Sequence, residues 1–141
     1  MTRQEIVSFL ADRQAMWVAR DTEGMSATHA ANGTVDSPMF GALRGRNEIA
    51  ESYRSLFTIF PDWEMTNHDA LVDGQRIAEP FSATATHVRE FMGLAGTHRR
   101  FQIQGIRLYE LAGDVIQHER RLYDFTALLI QIGVLRGKPA K

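Results

Sequence analysis

Apolar residues recur along this chain with two different periods, and the switch between them outlines the elements. Ile6, Phe9, Leu10, Arg13 and Trp17 share one helical face. Thr2 and Glu5, just ahead, match a capping box, so a helix is predicted from there to about Arg20. Asp21 and Thr22 suit the cap of a shorter helix through Met25 to about Ala30, ended by Asn32–Gly33. A short strand over Thr34 to Asp36 follows, then a loop marked by Ser37–Pro38 and Gly41 that holds Met39 and Phe40. The clearest stripe is Ile49, Tyr53, Leu56, Phe57 and Phe60, which predicts a helix from Arg46 to Phe60, stopped by Pro61.

Past Pro61 the period falls to two. Trp63 to Leu71 reads as a strand, Asp73–Gly74 as a hairpin turn, and Gln75 to Phe91 as its long partner. Pro80 predicts a bulge or an edge position in that partner. Phe81, Ala83, Ala85 and His87 share one face, and the small residues there leave room. Gly93 to Arg100 is a loop, and two strands then flank a turn at Ala112–Gly113–Asp114. The apolar phase slips at Gly105, which predicts a β-bulge and sets Gln102, Gln104, Arg107 and Tyr109 opposite the aliphatic row. Phe125, Leu128, Leu129 and Ile132 return to helical spacing, and the tail after Gly133 is expected to fray. Early helices and late antiparallel strands predict one α+β domain over residues 1–141, with a curved sheet wrapped around the first and third helices as a cone with a pocket.

The last strand breaks the usual rule for a sheet interior. Val115, Gln117, Glu119, Arg121 and Tyr123 point one way; Ile116, His118, Arg120, Leu122 and Asp124 point the other. Charge sits mid-strand on both faces, and a buried charge without a partner is expensive. One face is therefore expected to meet a wet cavity, a partner or bulk solvent, and the cavity is the expected functional site.

Composition narrows the classes. A 141-residue chain that is 44% apolar supports one ordinary core. A net charge of −1 with mixed signs leaves no footprint for nucleic acid and no polybasic membrane signal. There is no cysteine, so disulfides and thiolate chemistry are excluded. The charged N-terminal stretch shows no signal peptide, and a cytoplasmic location is expected. The five histidines lack tight ligand spacing, no Gly-rich phosphate loop occurs, and no serine sits in a nucleophile elbow, so no metal and no cofactor are expected.

Several local sequences together carry a resemblance. They are Leu43-Arg44-Gly45, Phe60-Pro61-Asp62-Trp63, the run from Thr86 to Leu94 (THVREFMGL), Thr97-His98-Arg99, and Gln131-Ile132-Gly133, seven residues beyond Asp124. In these pieces the chain resembles the SnoaL-like polyketide cyclases of the NTF2-like superfamily. The resemblance implies a cone-shaped α+β barrel, usually a homodimer. It also implies a cofactor-free intramolecular aldol condensation that closes a ring on an aromatic polyketide. In such cyclases an aspartate on the last strand acts as acid/base with a histidine on the preceding one. By motif spacing those positions are here Arg121 and Arg107. Arginine stays protonated and cannot shuttle a proton near neutral pH, so the cyclase chemistry needs other residues.

Three readings of the chemistry follow. In the first, Arg107 and Arg121 hold an enolate or a substrate carboxylate while Glu119 or His87 moves the proton. Against it stands a purely structural ion pair between Glu119, two positions from Arg121 on the same face, and an arginine. His87 is equally readable as a hydrogen-bonded core residue, and Asp124, catalytic by position, as the N-cap of the final helix. The second reading is a small-molecule-binding or interaction protein whose arginines take a flat anion. The third is another cofactor-free activity, such as a hydratase, dehydratase, isomerase or epoxide hydrolase. Trp17, Tyr53, Phe57 and Trp63 are the aromatic candidates for the pocket lining, joined by Met39, Phe40, Tyr109 and Tyr123, although residues on helical stripes also serve as plain core.

Overall fold

The computed structural model describes residues 1–140. The chain runs α1 (Arg3–Ala19), α2 (Thr22–Ala27), β1 (His29–Ser37), β2 (Gly41–Arg44), α3 (Gly45–Ile59), β3 (Glu64–Asn67), β4 (Leu71–Asp73), β5 (Arg76–Thr86), β6 (Arg100–Ala112), β7 (Val115–Tyr123) and α4 (Phe125–Ile132). One curved, unclosed sheet takes the order β2-β1-β7-β6-β5-β3, with β4 also paired to β5. It is the mixed α+β fold that the patterning predicts. Every strand pair is antiparallel except β1 with β7, which is parallel and departs from the expected antiparallel sheet.

Helix ends follow their caps. The Thr2 hydroxyl accepts from the Glu5 N–H at 3.1 Å, and the Glu5 carboxylate accepts from the Thr2 N–H at 3.3 Å. The second helix stops at Ala27, three residues short of the prediction. The reason is tertiary: His29 pairs with Ile116, and the Ile116 N–H reaches the Thr28 carbonyl at 2.8 Å. Sheet pairing outweighs the local helix signal there. The expected short strand at Thr34 to Asp36 becomes the nine-residue β1, and the Met39–Phe40 loop is the turn into β2.

The predicted Trp63–Leu71 strand divides into β3 and β4. Pro80 sits on β5 where one gives way to the other. Its carbonyl accepts from the His68 N–H at 2.8 Å. A strand residue's N–H and C=O point to the same side, so the missing N–H falls in the gap between β3 and β4 and is not needed. β5 ends at Thr86 and not at Phe91, which leaves His87 just past the strand.

The bulge expected at Gly105 does not exist. β6 keeps unbroken register through Gly105, opposite Phe81 on one side and Tyr123 on the other. Phe101, Ile103, Arg107 and Tyr109 therefore share the inner face, while Ile106 (40% exposed) turns outward. The sequence pattern misleads because Arg107 takes a buried inward position while Ile106 beside it faces out. Gly105 is required for another reason: a Cβ there would lie 2.4 Å from the Leu122 carbonyl and 2.8 Å from the Phe81 ring. Gly105→Ala is expected to cost about 1–3 kcal/mol by overpacking, read as a drop in the urea midpoint without a change in slope. The true irregularity lies between Glu110 and Leu111, where β7 inserts Gln117. It brings Ile116 and Glu119, out of phase by alternation, onto the same buried side.

Two apolar clusters fill the fold. The larger gathers Trp17, Tyr53, Phe60, Phe81, Phe101, Ile103 and Leu128; the smaller holds Ile6, Leu10, Ile77, Tyr109, Leu111 and Ile116. Four elements pass from one to the other, and each carries a charge at the crossing. On α1 it is Arg13, between Leu10 and Trp17; on β5 Glu79, between Ile77 and Phe81; on β6 Arg107, between Ile103 and Tyr109; on β7 Glu119 and Arg121, beyond Ile116. A buried polar layer thus separates the two blocks.

Candidate functional site

Sheet register builds this layer. On the inner face Glu79, Arg107 and Arg121 stand in one row across β5, β6 and β7. Like charges placed directly opposite are destabilising, so the Arg107–Arg121 pair demands a counter-anion. The neighbouring row supplies it: Glu119 lies beside Tyr109 on one strand and Val35 on the other, with 0% exposure. Its Oε2 accepts from Arg121 Nε at 2.5 Å and lies 3.9 Å from Arg107 Nε. Its Oε1 is 3.9 Å from Arg13 Nη2 and 3.7 Å from His29 Nε2.

Each arginine is also fixed by other groups. Arg13 donates to the Met25 carbonyl and to the Tyr53 hydroxyl, both at 3.3 Å, and to the Thr28 hydroxyl. Arg107 donates to Asn67 Oδ1 at 3.1 Å and lies over the Phe81 and Trp17 rings, 4.3 and 4.9 Å from their centres. Arg121 lies 5.3 Å from the centre of the Tyr53 ring.

Electrostatics follow from this packing. Burial alone would raise the Glu119 carboxyl, but the arginines, Arg121 foremost, hold it at about 2. Burial lowers His29 to about 3, with Arg13, Arg121 and Arg46 adding to the effect against the pull of Glu119. The imidazole is therefore neutral at neutral pH, and its approach to Glu119 is not an ion pair. Burial pushes Glu79 up, opposed by Arg107 and Arg13. Counted as charges, three buried arginines face at most two carboxylates, so the layer carries an excess of one positive charge or more.

Beside the layer lies a small, partly open cavity of about 30 Å³. Arg107 and Arg121 form its polar wall; Trp17, Trp63, Phe81 and Ile103 its apolar walls; Met39, Phe40 and Tyr123 lie at the β1–β2 turn side. Trp17 Nε1, Trp63 Nε1, Arg107 Nε and Arg121 Nη2 are buried without a hydrogen-bond partner among the described residues. All four are donors, so the wall is short of acceptors.

Of the residues expected from sequence, Arg107, Arg121 and Glu119 converge, and Trp17, Met39, Phe40, Trp63 and Tyr123 line the cavity. Tyr53 and Tyr109 belong to the polar layer and not to the cavity wall. Phe57 packs edge-on to Trp17 at 5.8 Å, under Arg20. His87 does not join the group. Its Nδ1 accepts from the Thr97 N–H at 3.2 Å and lies 2.9 Å from the Thr97 hydroxyl, which in turn donates to the Ile132 carbonyl at 2.9 Å. It ties the β5–β6 loop to α4. Asp124 caps α4, accepting from the Ala127 N–H at 2.8 Å, and is exposed. Sequence reasoning missed the site roles of Arg13, His29, Asn67 and Glu79. A signal existed for two of them: Arg13 interrupts an apolar helical stripe, and Glu79 falls in phase with Ile77 and Phe81.

A curved sheet folded over helices, with charged side chains turned inward beside a small hollow, is the architecture of an NTF2-like α+β domain. The chain belongs to the SnoaL-like polyketide cyclase family, whose model matches residues 9–132. Among solved structures it is similar to AclR from Streptomyces galilaeus, a candidate hydroxylase, with a TM-score of 0.83 and 19% identity over 98% of this chain and 91% of that one. TsrD from Streptomyces laurentii matches with a TM-score of 0.82 and 17% identity over 96% and 99% of the two chains. IdmH from Streptomyces antibioticus, a candidate polyketide cyclase, matches with a TM-score of 0.77 and 22% identity over 90% and 97%. No curated protein matches the chain in sequence.

Proposed function

We propose that this protein binds a small, flat, anionic ligand of aromatic or polyketide type, with the anion held between Arg107 and Arg121. One observation carries the reading: Arg107, buried, and Arg121, with 9% of its side chain exposed, stand directly opposite each other, with the Glu119 carboxyl within 3.9 Å of both and unpartnered donors on the adjoining wall. A carboxylate, phenolate or enolate supplies both the missing charge and the missing acceptors. A structural neighbour, TerC, co-crystallised with polyporic acid, is consistent with an acidic ligand on this fold.

Binding is favoured over protein-driven acid/base chemistry. At neutral pH a carboxyl held at about 2 is a weak base. His87 is bonded to Thr97 instead. Family membership supports a second reading, cofactor-free ring closure in which the two arginines stabilise the enolate as it forms. Either ligand needs more room than this cavity, which holds about two waters by volume. Opening is proposed at the Met39–Phe40 turn, whose two side chains are half-buried at the cavity's edge.

Calorimetric titration with 1-hydroxy-2-naphthoate tests the site. Arg107→Met and Arg121→Met are each expected to weaken binding by about 10- to 100-fold, the worth of one charged hydrogen bond. Unchanged affinity in both folded variants would place the anion elsewhere.

A further inference from the structure

We propose that the groove between α1 and the β3–β4 segment is a second binding site, taking a primary alkylammonium ion with Glu79 as its anchor. The groove has a volume of about 500 Å³ and is distinct from the arginine-lined cavity. Its walls are mixed: Val7, Leu10 and Ala11 on α1 face Ala70 and Val72, and Arg3, Gln14, Asn67, His68 and Asp69 complete the lining. Glu79 lines its floor and is only 4% exposed.

Glu79 is the unexplained group of the polar layer. The residue opposite it in register is Arg107, yet that guanidinium is directed to Glu119, Asn67 and the Met65 sulfur. The neighbouring Tyr109 hydroxyl biases Glu79 toward its ionised form but completes no hydrogen bond of good geometry. Among the described residues Glu79 makes no ion pair. A carboxyl this deep, with no ion pair and only the more distant charges of Arg107 and Arg13 to favour ionisation, is unfavourable, and burial pushes its proton affinity up. An ammonium seated in the groove removes both penalties. It offers three donors to the carboxylate, while its alkyl chain covers Val7, Leu10 and Val72.

The layer's positive excess opposes a cation on its own, and the anion of the proposed function, on which this step rests, would offset it. Arg107 stands between the two sites, with the cavity anion on one side and Glu79 on the other. An ammonium at Glu79 and an anion at Arg107 add opposite charges to the layer and leave its sum unchanged. Each ligand therefore favours the other.

Titration of the full chain with butylammonium chloride, followed by amide NMR, tests the site. Saturable binding is expected, with shifts centred on Val7, Leu10 and Val72. Glu79→Gln, nearly isosteric and neutral, should weaken it at least tenfold. Val7→Trp, a change at a 56% exposed position that leaves the buried layer untouched, should block it as well. 1-Butanol, equal in apolar surface, should bind at least tenfold more weakly than the ammonium. No saturable binding, binding unaltered in Glu79→Gln, or equal binding of the alcohol would each overturn the proposal.

Discussion

Glu119→Gln is expected to lower stability by on the order of 3–5 kcal/mol, the largest loss from any single side chain in this fold. The carboxylate is the common partner of Arg121 at 2.5 Å and of Arg13 and Arg107 at 3.9 Å, and no part of it reaches solvent. Glutamine keeps the shape but leaves three buried guanidinium groups facing only Glu79, whose carboxyl burial biases toward the neutral form. The penalty is that of uncompensated buried charge and exceeds the loss of one hydrogen bond. A domain of this size has roughly 5–15 kcal/mol in total, so the variant should be close to unfolding at 37 °C. Urea unfolding with linear extrapolation reads the change. The double variant Glu119→Gln, Arg121→Met should recover part of the loss, since it removes one unbalanced cation as well. A single variant within 1 kcal/mol of the parent would mean that another anion neutralises the arginines.

That network explains which parts of the fold the sequence reveals. Helices α1 and α3 are legible because their caps and apolar stripes agree, and tertiary packing confirms them. The polar layer is only half legible. Glu119 and Arg121 stand out because they are consecutive inward positions on one strand. Arg13, Glu79 and His29 come from three other elements, and nothing local says that a sheet and a helix will bring them to one level. The phase error at Gly105 has the same origin. An apolar–polar pattern assumes that buried means apolar. On β6 the buried residues include Arg107, while Ile106 and Leu122 pair on the outer face, 40% and 43% exposed. A layer of mutually neutralising charges inverts the pattern. The parallel pairing of β1 with β7 is illegible for a different reason: it joins residues 84 to 87 positions apart, and no hairpin turn announces it.

Acidification should unfold this protein in two stages, with His29 first. The imidazole is fully buried and lowered to about 3, whereas a histidine in the unfolded chain titrates near 6.5. Below about pH 6.5 the unfolded chain therefore takes up a proton that the fold refuses. Stability that is intact above 6.5 falls as pH drops toward 3, with a slope approaching about 1.4 kcal/mol per pH unit. Glu119 joins later. Its folded value of about 2 lies below the ordinary 4.5, so its contribution is complete above 4.5 and is lost as pH falls toward 2. Glu79 has the opposite sign. Its raised folded value means the fold takes up a proton before the unfolded chain does, so protonation there offsets part of the His29 loss above pH 4.5. The net expectation is a decline of at most about 2 kcal/mol between pH 6.5 and 4.5, steepening below. Urea midpoints measured across pH 7 to 4 trace it. His29→Asn cannot titrate and should flatten the upper stage while leaving the steeper lower one. An upper stage unchanged in His29→Asn would assign the early proton uptake to another group and leave the buried imidazole without a part in acid unfolding.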